Sequence, residues 1–153
     1  MEHLSFHKND YLISTDPALL NQEYIHHYLS TQSYWAENIP QDVVSRSIDG
    51  SCCFGMYQND QQIGFARVVT DYATFGYLCD VFIDEAFRGR GLSKWMMEVI
   101  HNHPQLQGFR NWTLGTRDAH GLYEQFGYTV HPEPHRMMRK NDPDVYKSHA
   151  KEN

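Results

Sequence analysis

An apolar stretch at residues 77–83, Tyr-Leu-Cys-Asp-Val-Phe-Ile, runs within a few residues into Arg88-Gly-Arg-Gly-Leu-Ser93. A second apolar pattern, at helical spacing, follows at once and continues to His101. The first stretch predicts a buried strand, and residues 92–101 predict a helix that ends before Pro104. A strand that enters a helix through a short glycine turn leaves the first N–H groups of that helix without carbonyl partners. Those groups and the helix dipole favour an anion, and a turn without side chains lets the anion come close. Arg88, Arg90 and Lys94 add positive charge at the same place. The amides of Gly89, Arg90, Gly91, Leu92 and Ser93 are therefore candidates to hold a pyrophosphate. The bland alternative is a tight strand–helix turn with solvated arginines.

The remaining elements are read around this unit. Residues 11–15 predict a first strand. Asp16 and Pro17 then offer an N-cap and a first-turn proline to a helix carrying Leu19, Leu20, Tyr24, Ile25, Tyr28 and Leu29. Ser33, Tyr34, Trp35 and Ala36 interrupt it, and a second short helix is expected at residues 40–48. Strands are expected at 51–57, 62–70 and 77–83, the first two close enough in sequence to form a hairpin. After the glycine turn and its helix come a strand at 112–116, a helix at 119–126 stopped by Gly127, and a last strand at 136–139. This order predicts a mixed α/β fold, with a largely antiparallel central sheet flanked by helices. Residues 1–140 read as a single domain, and the polar residues 141–153, with Pro143, as a flexible tail.

Composition narrows the partners. With 153 residues, 41% hydrophobic, the chain is long enough to bury a core. A formal net charge of −6 gives no general attraction to nucleic acid or to an anionic membrane. No apolar run approaches a bilayer-spanning length, and the first residues lack a basic-then-apolar secretion pattern, so a cytoplasmic location is the expectation. Cys52, Cys53 and Cys79, odd in number and set in apolar stretches, read as small buried hydrophobes rather than a disulfide framework. The 10 histidines are scattered without the spacing of a helical zinc site, so no metal is expected. Apolar strand edges and many aromatics are compatible with a homodimer.

Two segments make the chain resemble the GNAT superfamily of acyl-CoA-dependent N-acetyltransferases. Arg88-Gly-Arg-Gly-Leu-Ser93 is similar to the family's acyl-CoA signature, Arg/Gln-x-x-Gly-x-Gly/Ala, between a strand and a helix as in the family. Ser93 stands where the family usually has glycine or alanine. The second segment, Thr116-Arg-Asp-Ala-His-Gly-Leu-Tyr-Glu-Gln-Phe-Gly-Tyr128, resembles the family's late strand-to-helix string, with Asp118 where asparagine is common. The element order matches across nearly the whole chain.

The resemblance implies the GNAT acyl-CoA N-acyltransferase fold and acetyl-CoA as co-substrate. It places the pyrophosphate on Arg88 to Ser93, and the pantetheine arm and thioester carbonyl on the backbone of Val81, Phe82 and Ile83. Tyr123 is then the candidate general acid toward the leaving thiolate. A base is open between Asp80, the odd residue in an apolar strand, His120, one helical turn before Tyr123, and a water chain with no dedicated base. Strict alternation would put Asp80 on the face of Leu78 and Phe82, opposite Tyr77, Cys79, Val81 and Ile83. Tyr34, Trp35 and Tyr72 are candidate walls of an acceptor pocket. The implied activity is acetyl transfer to a primary amine of a small molecule or a protein, with a non-catalytic acyl-CoA-binding or sensor domain as the alternative. A general nucleotide-binding domain is disfavoured, because no lysine–serine/threonine pair follows the glycines.

Overall fold

The computed structural model describes residues 2–147. Six strands form one sheet in sequence order: β1 (Ser5–Lys8), β2 (Tyr11–Ser14), β3 (Cys52–Gln58), β4 (Gln61–Thr70), β5 (Phe75–Ile83) and β6 (Asn111–Thr113). Neighbours from β1 to β5 are antiparallel, and β6 runs parallel to β5. Helices α1 (Gln22–Thr31) and α2 (Gln41–Asp49) supply one buried cluster with Cys53, Phe65 and Phe82 of the sheet. Helix α3 (Leu92–Asn102) and Tyr123 of α4 (His120–Glu124) pack in the other with Ile13, Phe54, Ile63, Leu78 and Ile83. Adjacent Cys52 and Cys53 fall in different clusters, as alternation along a strand buried on both faces requires. Among the described residues no helix is long and apolar enough to cross a membrane.

The antiparallel meander and the glycine-turn unit form as the sequence predicts; the differences are local. Strand β1 was not expected, since three of its four residues are exposed and it carries no apolar alternation. It pairs with β2 through a turn in which Asn9 takes φ 55°. Asp16 caps only a 3-10 turn (Pro17–Leu19), and α1 starts anew with Asn21 accepting from the Tyr24 amide at 3.0 Å. The strand expected at residues 136–139 does not form. Pro134–Arg136 is a 3-10 turn, and Met138 is 95% exposed, so this stretch has no apolar face to press onto a sheet. Of the expected tail, Tyr146 packs against the α1–α2 cluster; residues 148–153 lie outside the described residues.

The strict alternation predicted for β5 is overturned by a bulge. Phe65 pairs with Phe82 while Arg67 pairs with Cys79, so β5 carries one residue more than β4 between these pairs. Asp80, at φ 53°, lies at this irregularity. Leu78 therefore faces the α3 cluster with Val81 and Ile83, whereas Phe82 faces the α1–α2 cluster.

Candidate active site

The β5–α3 connection begins with Asp84, whose amide donates to the Ile63 carbonyl at 2.7 Å and whose carboxylate accepts from the Ala86 amide. A 3-10 turn (Glu85–Phe87) follows, then the glycine loop. Gly89 and Gly91 take φ 78° and 76°, the left-handed region in which a Cβ is disfavoured. A Cβ at either would meet nothing within 4 Å, so the loop opens outward. Among the described residues, the amides of Gly89, Arg90, Gly91, Leu92, Ser93 and Lys94 donate to no protein acceptor. Helix α3 has no side-chain cap. Successive unengaged N–H groups at the start of an eleven-residue helix fit a diphosphate.

The arginines do different work from that expected of free charges. Arg88 Nε donates to the Ile83 carbonyl at 3.1 Å and Nη2 to the Tyr28 hydroxyl at 2.8 Å. Its guanidinium thus ties the loop to the end of β5 and to α1. Arg90 donates to the Tyr11 hydroxyl at 2.9 Å and lies over the Phe87 ring. Tyr28 stacks on Phe82 with centroids 3.8 Å apart, and Tyr24, one turn earlier, donates to Asp84 at 3.1 Å. Burial first, and then Asp84, raise the Tyr24 pKa above its ordinary value. The sequence read both tyrosines only as helix core; their spacing of one turn was the available signal.

Strands β5 and β6 pair only at Phe75, Gly76 and Tyr77 against Asn111, Trp112 and Thr113. Among the described residues, no strand pairs on that side with the β5 edge beyond Tyr77, which carries Val81, Phe82 and Ile83. The loop and this open edge are contiguous, so an extended ligand held at the loop can continue along the edge as an added strand would.

Tyr123 is 9% exposed, and among the described residues its hydroxyl has no hydrogen-bond partner. Burial raises its pKa above the ordinary phenol value, with further upward contributions from Tyr34 and Asp118. Helix α4 ends at Glu124, two residues short of the predicted Phe126; Gly127 follows at φ 90°, and the Tyr128 amide reaches back to the Tyr123 carbonyl. The side chain of His120, exposed at the start of α4, makes no hydrogen bond or ion pair among the described residues.

Asp80 is bound at both oxygens. Oδ2 accepts from Arg67 Nε at 2.6 Å and Oδ1 from the Trp35 indole N–H at 2.7 Å. Arg67 Nη1 donates in turn to the Ser51 hydroxyl. Trp35 meets Tyr34 edge to face at 5.0 Å, and the Tyr34 hydroxyl accepts from the Arg117 amide at 2.9 Å. The Arg117 guanidinium lies 3.9 Å from the centroid of the Tyr34 ring. The structure thus joins Tyr34, Trp35 and Asp80 and brings in Arg67 and Arg117, which the sequence did not single out. Tyr72 stands apart, at φ 61° in the β4–β5 turn beside Cys52. Asp71 is engaged in that same turn, accepting from the Ala73 and Thr74 amides and the Thr74 hydroxyl.

Residues 49–130, which hold β3 to β6, the loop and α4, match the family described as the acetyltransferase (GNAT) domain. A candidate acetyltransferase of Gibberella zeae is 35% identical over 76% of this chain and 77% of its own length. The crystal structure of a candidate GNAT-family acetyltransferase from Xanthomonas campestris superposes with a TM-score of 0.88 at 45% identity, covering 92% of this chain and 99% of that one. At 12% identity, a structure of an acetyltransferase from Clostridium acetobutylicum, described with acetyl-CoA, shares the fold with a TM-score of 0.57, over 92% of this chain and 95% of that one. Agreement in sequence and in backbone over most of both chains means that this chain belongs to the GNAT family of acetyltransferases.

Proposed function

We propose that this protein transfers an acetyl group from acetyl-CoA to a primary amine of a small molecule or a protein. The observation that carries the reading is the loop at the start of α3, where two left-handed glycines are followed by amides, six in all from Gly89 to Lys94, with no acceptor among the described residues, beside an open strand edge. Acetyl-CoA, when bound, supplies the acyl group as a thioester. The amides of residues 89–94 hold its diphosphate, with the α3 dipole behind them. Arg88, braced between Ile83 and Tyr28, keeps the loop in register with β5. The edge at Val81, Phe82 and Ile83 receives the pantetheine arm through main-chain hydrogen bonds, and an N–H there polarises the carbonyl.

Tyr123 donates the proton to the departing thiolate. Its raised pKa keeps it protonated at neutral pH but makes it a weaker acid than a thiol. Donation therefore works only as the C–S bond breaks, with the hydroxyl held in place. The acceptor enters past Tyr34 and Trp35, and the proton it loses leaves to His120 or to water.

Incubation with acetyl-CoA and a broad amine panel, followed by thiol release, tests the reading. Tyr123→Phe is expected to lower kcat by about 100-fold while leaving acetyl-CoA affinity within about twofold. Tight acetyl-CoA binding with no turnover on any amine would instead mark a binding or sensor domain.

A further inference from the structure

The Asp80 carboxylate sits at the β5 bulge with its side chain 9% exposed, and it has no oxygen to spare. A proton placed on it would weaken it as an acceptor and leave the mostly buried Arg67 guanidinium without its counter-charge. That is poor chemistry for a proton acceptor and good chemistry for a fixed support. Trp35 needs such a support. It lies in the connector between α1 and α2, it is 42% exposed, and its indole N–H points at Asp80. Tyr34 leans on Trp35 and holds Arg117 by both its hydroxyl and its ring. These contacts form one continuous chain from Arg67 and Asp80 in the sheet, through two aromatic rings, to the segment just after β6. It crosses the side of the molecule where β5 and β6 part company, and Tyr34 is close enough to Tyr123 to raise its pKa.

We infer that Asp80 is a positioning residue that fixes Trp35 and Tyr34 as an aromatic arch between β5 and the Arg117 segment, and that this arch is the wall against which the acceptor amine is placed. The inference rests on the acetyl-transfer reading for its kinetic consequence; the arch itself stands on contacts alone. The charged and titratable groups facing Asp80 are Arg67 from β4, Cys53 from β3, and Tyr77 and Cys79 from β5. None of these changes charge between about pH 5 and 8. An acid limb lost in Asp80→Asn but kept in Trp35→Phe would therefore point to Asp80 and not to these neighbours.

The test uses the full chain labelled with 5-fluorotryptophan. The chain has 3 tryptophans, and Trp35→Phe assigns the Trp35 fluorine resonance. Asp80→Asn is expected to shift or broaden that resonance and leave those of Trp95 and Trp112 in place. With an amine found by the panel, Asp80→Asn and Trp35→Phe are both expected to raise the acceptor KM about tenfold, the equivalent of one lost hydrogen bond to a charged group. Acetyl-CoA affinity and the shape of the pH–rate profile should match the parent protein. An unmoved Trp35 resonance in Asp80→Asn would overturn the arch. So would loss of the acid limb in Asp80→Asn but not in Trp35→Phe. If Asp80→Asn does not fold, Trp35→Phe keeps the Arg67–Asp80 pair, and an unchanged acceptor KM there overturns the proposal. If no amine is turned over, the acetyl-transfer reading fails while the fluorine spectrum still decides the arch.

Discussion

Gly89 and Gly91 show how a single backbone angle can hold a binding site. Space is not the constraint, because a Cβ at either would meet nothing within 4 Å. The constraint is φ, 78° and 76°, where an L-residue is disfavoured by about 1 kcal/mol. Relaxing that strain would turn the peptide planes on either side and re-aim the unengaged Arg90 and Leu92 amides. Gly91→Ala is therefore expected to lower stability by about 1 kcal/mol and to weaken acetyl-CoA binding at least tenfold. Urea unfolding and titration calorimetry would read the two effects separately; full affinity in a destabilised variant would mean that the amides are not what holds the ligand. These glycines were legible in the sequence because helix start, glycine and positive charge all sit within a few consecutive residues. Arg88 was only half legible. Its place in the motif was plain, but its guanidinium points inward to partners that only the fold brings near.

Helix α1 acts as a brace for the strand end that feeds the loop. Tyr24 reaches Asp84 and Tyr28 reaches Arg88, so two side chains one turn apart secure both sides of the Glu85–Phe87 turn. Tyr28→Phe would keep the stack on Phe82 and remove only the acceptor for Arg88. The expected loss is about 1 kcal/mol of stability, with acetyl-CoA binding weakened severalfold, by thermal unfolding and calorimetry. An unchanged affinity would show that the loop keeps its shape without the brace. At this scale the sequence read the meander and the α3 unit well, since their periodicities are local and strong. It misread β5 because strict alternation assumes a straight strand, whereas the extra residue at Asp80 is defined only by its pairing with β4. That one bulge turns Asp80 toward Arg67 and Trp35. The same limit explains β1, whose polar residues become a strand only because β2 offers an edge, and residues 136–139, whose pattern suggested a strand but whose side chains stay in solvent.

The molecule as a whole buries titratable groups in both of its cores, and this ties its stability to pH from two sides. Burial pushes His101 and His103 below the ordinary value of 6.5. Below that value the unfolded chain takes up protons that the folded one refuses, so the stability these histidines contribute is present above pH 6.5 and lost as pH falls. On the alkaline side the sign reverses. Burial, with Cys52 beside it, pushes the Cys53 thiol from 9.0 up to about 12, and burial pushes Cys79 from 9.0 up to about 11. The native state then holds protons that the unfolded state has released. The stability these thiols contribute should accordingly be intact below about pH 9, start to fall there, and go on falling until the folded thiols themselves ionise near 11 and 12. Cys53→Ala would lower stability at every pH by leaving a small cavity, so the decisive quantity is the slope and not the level. Denaturant melts at intervals from pH 8 to 11 should show a shallower alkaline decline in Cys53→Ala than in the parent chain. Parallel declines would mean that Cys53 ionises as readily in the folded protein as in the unfolded one, and that its seat beneath α2 is wet.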